Sequence, residues 1–134
     1  MKMKYYLIGL LMVSSVFFLS FTYYQTKPWP VPEKNAKMAN PVKADDESIK
    51  IGKQMWTKHC VSCHGKTGAG DGTKAAQLET AMEDIAAAAV QNQSDGELYY
   101  KIAEGRDEMP TFKKKIPDAE DIWSVVNYIR TLKK

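Results

Sequence analysis

Apolar residues run without a charge from Tyr5 to Tyr24, in YYLIGLLMVSSVFFLSFTYY. In a helix rising about 1.5 Å per residue these 20 residues reach roughly 30 Å, the thickness of a bilayer's hydrocarbon core. The pattern predicts a membrane-targeting segment over residues 1–24. Tyr5, Tyr6, Tyr23 and Tyr24 stand at its two ends, where amphipathic rings favour the water interface. Lys2 and Lys4 place Met1 on the cytoplasmic side. Everything after Tyr24 is then expected outside the cytoplasmic membrane, facing the periplasm or the cell exterior. The competing reading is a cleaved signal peptide, for which the nearest small-x-small site is SFT at Ser20–Thr22.

Residues 25–44, QTKPWPVPEKNAKMANPVKA, hold four of the six prolines. Proline removes a backbone donor and fixes φ, so this stretch reads as an extended, non-helical tether at about 3.1 Å per residue. The rival is an ordered strap on a domain surface, with Trp29 and Val31 seeking an apolar partner.

Residues 45–134 carry helical periodicity and no alternating strand pattern. Asp45 and Asp46 stand as caps before a stripe of Ile49, Gly52, Trp56 and Cys60. Ser94 and Glu97 form a capping-box pattern, with Gly105 as the stop after Glu104. A last helix is expected from near Pro117 or Asp118, with the stripe Ile122, Val125, Val126, Ile129 and Leu132. Acidic residues in its first turn and lysines at its end suit the helix dipole. Between these, the alanines of KAAQLETAMEDIAAAAVQ favour helix.

Composition changes this picture little. With 44% hydrophobic and 26% charged residues the chain is ordinary globular material for one small domain plus accessory segments. Setting aside Lys2 and Lys4, 17 Lys and Arg face 16 Asp and Glu, which gives no support for nucleic acid as a partner. Two cysteines do not make a disulfide scaffold.

The candidate chemistry is concentrated in HCVSCHGKTGAGDG, residues 59–72, which holds both cysteines and both histidines. CVSCH is Cys-x-x-Cys-His, the haem attachment pattern, in which Cys60 and Cys63 bond the haem's vinyl groups and His64 meets the iron. Thiol exchange is a second reading of Cys-x-x-Cys, but it normally follows a strand in a βαβ unit, and none is evident. Structural zinc wants ligands from two separated segments, whereas all four candidates fall within six positions.

For haem, the sixth iron position must come from elsewhere. His59 lies beside Cys60 on the same side of the ring as His64, and no third histidine exists. Met and His together are the ligation of electron-carrying cytochromes. Met1, Met3 and Met12 lie in the N-terminal segment, Met38 in the tether, and Met55 on the motif's own helix. Of Met82 and Met109, Met109 in EGRDEMPTF stands in a loop stiffened by Pro110, while Met82 lies in an alanine-rich stretch where packing accounts for it. Met109 is therefore the expected sixth ligand. Arg106, just before it, is a candidate partner for a haem propionate.

Over residues 45–134 the chain resembles the class I, mitochondrial-type c-type cytochromes, especially small bacterial forms with one haem. The likeness rests on CVSCH, on Gly52 and Trp56 at eight and four residues before Cys60, on the Met109–Pro110 pair, and on Val125 with Tyr128. It implies an all-α fold of three to five helices around one covalent haem c, in which Gly52 and Trp56 on the first helix pack against Val125 and Tyr128 on the last. Many family members carry a proline after the haem motif whose carbonyl receives the His proton. GKTGAGDGTKAA contains none, so a carbonyl of residues 68–72 is the expected substitute. The resemblance also makes Lys113, Lys114 and Lys115 candidate docking contacts, against the plainer reading of a solvated charge run.

The resemblance implies a one-electron carrier rather than an enzyme, with no small-molecule substrate. Its expected partners are redox proteins such as a quinol-oxidising complex and a terminal oxidase. The alternative is a fixed haem subunit of such a complex, for example alternative complex III. A haem enzyme or sensor with an open iron site is the contrasting class.

Overall fold

The computed structural model describes residues 28–134, so the expected N-terminal membrane segment and the start of the tether lie outside the described residues. No helix among the described residues is long and apolar enough to cross a membrane. Val31–Lys134 forms a compact unit. It is helical, and its only β feature among the described residues is an isolated bridge between Arg106 and Met109.

Among the described residues the α-helices follow in order as α1 (Glu33–Ala36), α2 (Asp46–His59), α3 (Val61–His64), α4 (Ala88–Gln91), α5 (Asp95–Glu104) and α6 (Ala119–Thr131), with a 3-10 turn at Ala75–Gln77. Each long helix starts at a side chain that satisfies an orphan backbone donor. Asp45 caps α2 and Ser94 caps α5, each in a reciprocal capping box, with Ser48 and Glu97 at the third helical position. Asp118 accepts from the Glu120 N–H at the start of α6.

The core forms where α2 and α6 pack together, around Trp56, Ile122, Val125, Val126 and Ile129, with Leu98 and Ile102 of α5 and with Phe112 and Ile116 of the loop between α5 and α6. Gly52 sits where these helices touch. A Cβ added there would lie 2.0 Å from the Ser124 carbonyl oxygen and 2.9 Å from Tyr128 Cβ, so only glycine allows this approach. Trp56 and Tyr128 meet with ring centroids 5.8 Å apart, and Val125 is 1% exposed.

Three expectations of the sequence differ from the structure. A one-sided stripe on α6 underestimates its burial: every residue from Ile122 to Ile129 is buried, including Trp123, Ser124, Asn127 and Tyr128. The reason is cover from three sides: α2 lies on Ser124 and Tyr128, Tyr99 of α5 stacks on Trp123 with centroids 4.1 Å apart, and the segment before α2 lies on Asn127. Where an extended tether is expected, residues 31–44 lie along the domain as a strap and include the helical turn α1. Asn40 donates to Asn127 Oδ1 at 2.8 Å, Asn127 donates to the carbonyls of Val42 and Lys43, and Ser94 donates to the Ala36 carbonyl. Pro32 does not prevent α1, because it occupies the cap position and its carbonyl accepts from Asn35 and Ala36.

The alanine-rich stretch is the third difference. Only Ala75–Gln77 and Ala88–Gln91 are helical; the rest is turn and loop. Tertiary contacts override propensity here: the Glu108 carboxylate takes the N–H groups of Glu79 and Thr80, and the Ile85 N–H donates to the Gly68 carbonyl.

Candidate haem-binding site

The motif begins where α2 ends. Cys60 caps both helices: its N–H donates to the Trp56 carbonyl, and its own carbonyl accepts from Cys63 and His64 at 3.1 and 2.9 Å. One tight turn thus carries Cys60 and Cys63 as free thiols, the first buried and the second half-buried. Gly65 ends the turn at φ 78, a left-handed value that favours glycine.

The glycine-rich segment after it folds back over the motif. The N–H groups of Gly70, Gly72 and Lys74 donate to the carbonyls of His64, Cys63 and Ser62 in turn. Alternate residues of this segment therefore satisfy the carbonyl end of α3. The segment lies so close that a Cβ on Gly72 would stand 2.5 Å from the Ser62 oxygen. These glycines serve close backbone approach.

Trp56 supports the turn from beneath. Its Nε1–H donates to the Gly65 carbonyl at 3.1 Å, and its ring lies 5.6 Å from that of His64. Burial lowers the His64 pKa, so the imidazole is held neutral, the form that binds iron. Its Nδ1 is buried and has no hydrogen-bond partner among the described residues; the expected acceptance by a carbonyl of residues 68–72 is not formed. Burial, with Cys63 nearby, pushes the Cys60 thiol up to about 12. A thiol-exchange site needs the opposite shift, because the thiolate is the nucleophile. Among the described residues, no group of three or more His, Cys, Asp or Glu side chains is placed to hold a bare metal ion. The donor set, two thiols on one turn followed directly by a half-buried neutral imidazole, fits a covalently attached haem.

Met109 lies in the loop after α5, half-buried against the core cluster that also contains Cys60. The loop is a tight hairpin. Arg106 and Met109 exchange backbone hydrogen bonds at 2.9 and 2.8 Å, with Asp107 at φ 50 in the turn. Gly105 is at φ 69, and a Cβ there would meet the Met109 oxygen at 2.4 Å. Glu108, next to Met109, accepts from Glu79 and Thr80 at 3.1 and 2.9 Å, and these bonds hold its carboxyl below the usual range. Met82, the other candidate, is half-buried, and its Cβ packs on Gly70 beside the motif. Arg106 pairs with Asp107 at 3.4 Å. Lys113 pairs with Glu104, and the Lys115 ammonium stands 5.4 Å above the Phe112 ring.

Two features escape a reading by sequence. His59 packs edge-on against Phe112, centroids 6.1 Å apart, and so joins the end of α2 to the segment following Met109. Its pKa is lowered by burial and then by Lys58 and Lys115. Glu108 is the second, and its acidic neighbours Glu104 and Asp107 hide it in a row of apparently equivalent surface carboxylates.

Residues 47–129 match a protein family described as cytochrome c oxidase, cbb3-type, subunit III. Among solved structures, the Kuenenia stuttgartiensis reducing HAO-like protein complex contains a chain that superposes with a TM-score of 0.62 at 21% identity, over 86% of this chain and 54% of that one. The chain thus spans about half the length of that relative. A c-type cytochrome, KustC0563, superposes with a TM-score of 0.54 at 30% identity, over 62% of this chain and 98% of that one. No curated protein matches.

Proposed function

We propose, for a chain that belongs to the family described as cytochrome c oxidase, cbb3-type, subunit III, that it carries single electrons between membrane redox complexes through one haem with His64 and Met109 as axial ligands. Family membership makes it a c-type cytochrome, and such proteins bind haem covalently. The haem supplies one chemical capability, reversible one-electron transfer at iron. Cys60 and Cys63 hold the ring at two points, so the chain needs no deep pocket to retain it. His64, kept neutral by burial, presents a lone pair without first losing a proton. Met109 presents a soft thioether, which raises the reduction potential. Pro110 and the Arg106–Met109 bridge fix its backbone.

The observation that carries this reading is the single turn holding both thiols and the half-buried His64, whose Nδ1 is covered. With both axial positions filled, no substrate binds at the metal, and the protein is a carrier rather than an enzyme. Carbon monoxide tests this. The reduced native protein should resist carbon monoxide, whereas rapid binding would show an open iron and a catalytic or sensing role.

The reading places the domain outside the cytoplasmic membrane, held by residues 1–24 as a single-pass anchor. A second reading, a fixed haem subunit of a quinol-oxidising or terminal oxidase complex, is favoured by the family's own description as an oxidase subunit. Co-purification of the native protein with such a complex in stable stoichiometry would establish it. Lys113, Lys114 and Lys115, all exposed beside the Met109 loop, are the docking contacts of either reading.

A further inference from the structure

The strap of residues 31–44 is built into the domain. Asn127 is 5% exposed, and its amide is consumed by the strap and its continuation into α2. Its Oδ1 accepts from Asn40 at 2.8 Å, while its Nδ2 donates to the carbonyls of Val42 and Lys43 and to Ser48 Oγ at 3.2, 3.3 and 3.1 Å. Without the strap, this amide would lose the partner of its Oδ1 and two of the three acceptors of its Nδ2, keeping only Ser48 Oγ, which is costly. Asn40 also donates to the Trp123 carbonyl at 3.4 Å, and Val42 packs against the core. At the other end, Ser94 Oγ donates to the Ala36 carbonyl at 2.6 Å. Gly96 leaves room there for the strap backbone: a Cβ would meet the Asn35 oxygen at 2.1 Å and the Met38 oxygen at 2.9 Å. Gly96 is helical, so no unusual backbone angle calls for glycine, and the close passage of the strap supplies the reason.

This contact consumes most of the expected tether. A free segment over residues 25–44 would extend roughly 60 Å. With the compact unit beginning at Val31, only residues 25–30 separate it from the apolar segment ending at Tyr24. Those six positions span at most about 20 Å when fully extended.

We infer that the strap acts as a short leash: it keeps the haem domain at the bilayer surface, so that its electron partner is a membrane-embedded redox protein whose docking face lies at membrane level. The inference rests on residues 1–24 being a membrane anchor. A domain on this leash moves with lateral diffusion of its anchor and does not swing out to partners standing far above the membrane. The two hooks, at Asn127 and at Ser94–Gly96, hold different parts of the strap, so releasing both returns the longer reach.

The test uses the full-length, haem-loaded protein in lipid vesicles containing a headgroup-labelled fluorescent lipid, which haem quenches at short range. Three proteins are compared: the native chain, a chain with a long Gly-Ser insertion between Lys27 and Pro28, and the strap-release variant Asn127→Ala with Gly96→Ala. The native chain should quench strongly, and both altered chains should lose that quenching. Native quenching no stronger than that of the insertion chain overturns the leash and leaves the anchor standing. A folded release variant that quenches as the native chain does also overturns the leash; if that variant does not fold, the insertion arm decides alone. A native chain that stays in the supernatant when vesicles are sedimented overturns the anchor, and the leash with it.

Discussion

Replacing Gly52 by alanine tests the closest contact in the fold. The new methyl would lie 2.0 Å from the Ser124 carbonyl oxygen, 2.6 Å from its carbon and 2.9 Å from Tyr128 Cβ. Ordinary contacts between heavy atoms sit near 3.5–4.0 Å, so α2 and α6 must part by more than about 1 Å. Two of the three atoms are backbone, which no rotamer change moves aside. Overpacking of this kind costs about 1–3 kcal/mol, and a clash against backbone falls at the upper end. Alanine returns about 1 kcal/mol through its better helix propensity. The net loss should be about 2 kcal/mol, a drop of roughly 10 °C in Tm for a domain of this size. Urea unfolding of the haem-loaded protein measures it, with the denaturant slope held constant to show that only stability has changed. A midpoint that is unchanged or raised would refute the reasoning, because propensity alone would then be at work and the helices would not be in contact at Gly52.

Other substitutions probe the site and its surroundings. Trp56→Phe should cost about 1–3 kcal/mol in urea unfolding, since it leaves the Gly65 carbonyl without its donor in a buried position; a loss below about 0.5 kcal/mol would contradict that role. Met109→Ala should abolish the low-spin His/Met visible spectrum, and an unchanged spectrum would show that another group holds the sixth position. Asp84 accepts from Lys134 and from the Ala86 N–H, and these bonds lower its pKa. The stability it contributes is present above the ordinary carboxylate range and is lost as pH falls through the lowered folded value. Asp84→Asn should therefore lower Tm slightly at neutral pH and converge on the native value in acid; a constant difference across the titration would dismiss the carboxylate's charge as the cause.

Local rules made much of the fold legible. The caps at Asp45 and Ser94, the stop at Gly105 and the start of α6 near Asp118 are each set within a few residues, and each stands where the sequence places it. What local rules missed depends on partners distant in sequence. Prolines argue for an extended chain, yet an asparagine on α6 some 85 residues away holds the strap down. Alanines argue for helix between residues 74 and 91, yet Glu108 and Gly68 take the backbone donors that a helix would use. At the site, Cys60, Cys63 and His64 were legible because adjacency in sequence is adjacency on the turn. The unpartnered Nδ1 of His64 and the contact of His59 with Phe112 follow only from the packing around that turn.

The central claim is that one porphyrin is bonded through the thiols of Cys60 and Cys63. Intact mass measurement of the protein from its native host, after denaturation and acid extraction of loosely held haem, tests it most directly. The account predicts a chain heavier by one haem, with the added mass mapping to the peptide that contains CVSCH. A chain at its bare polypeptide mass, with both thiols free to react with a thiol-specific reagent, would contradict it.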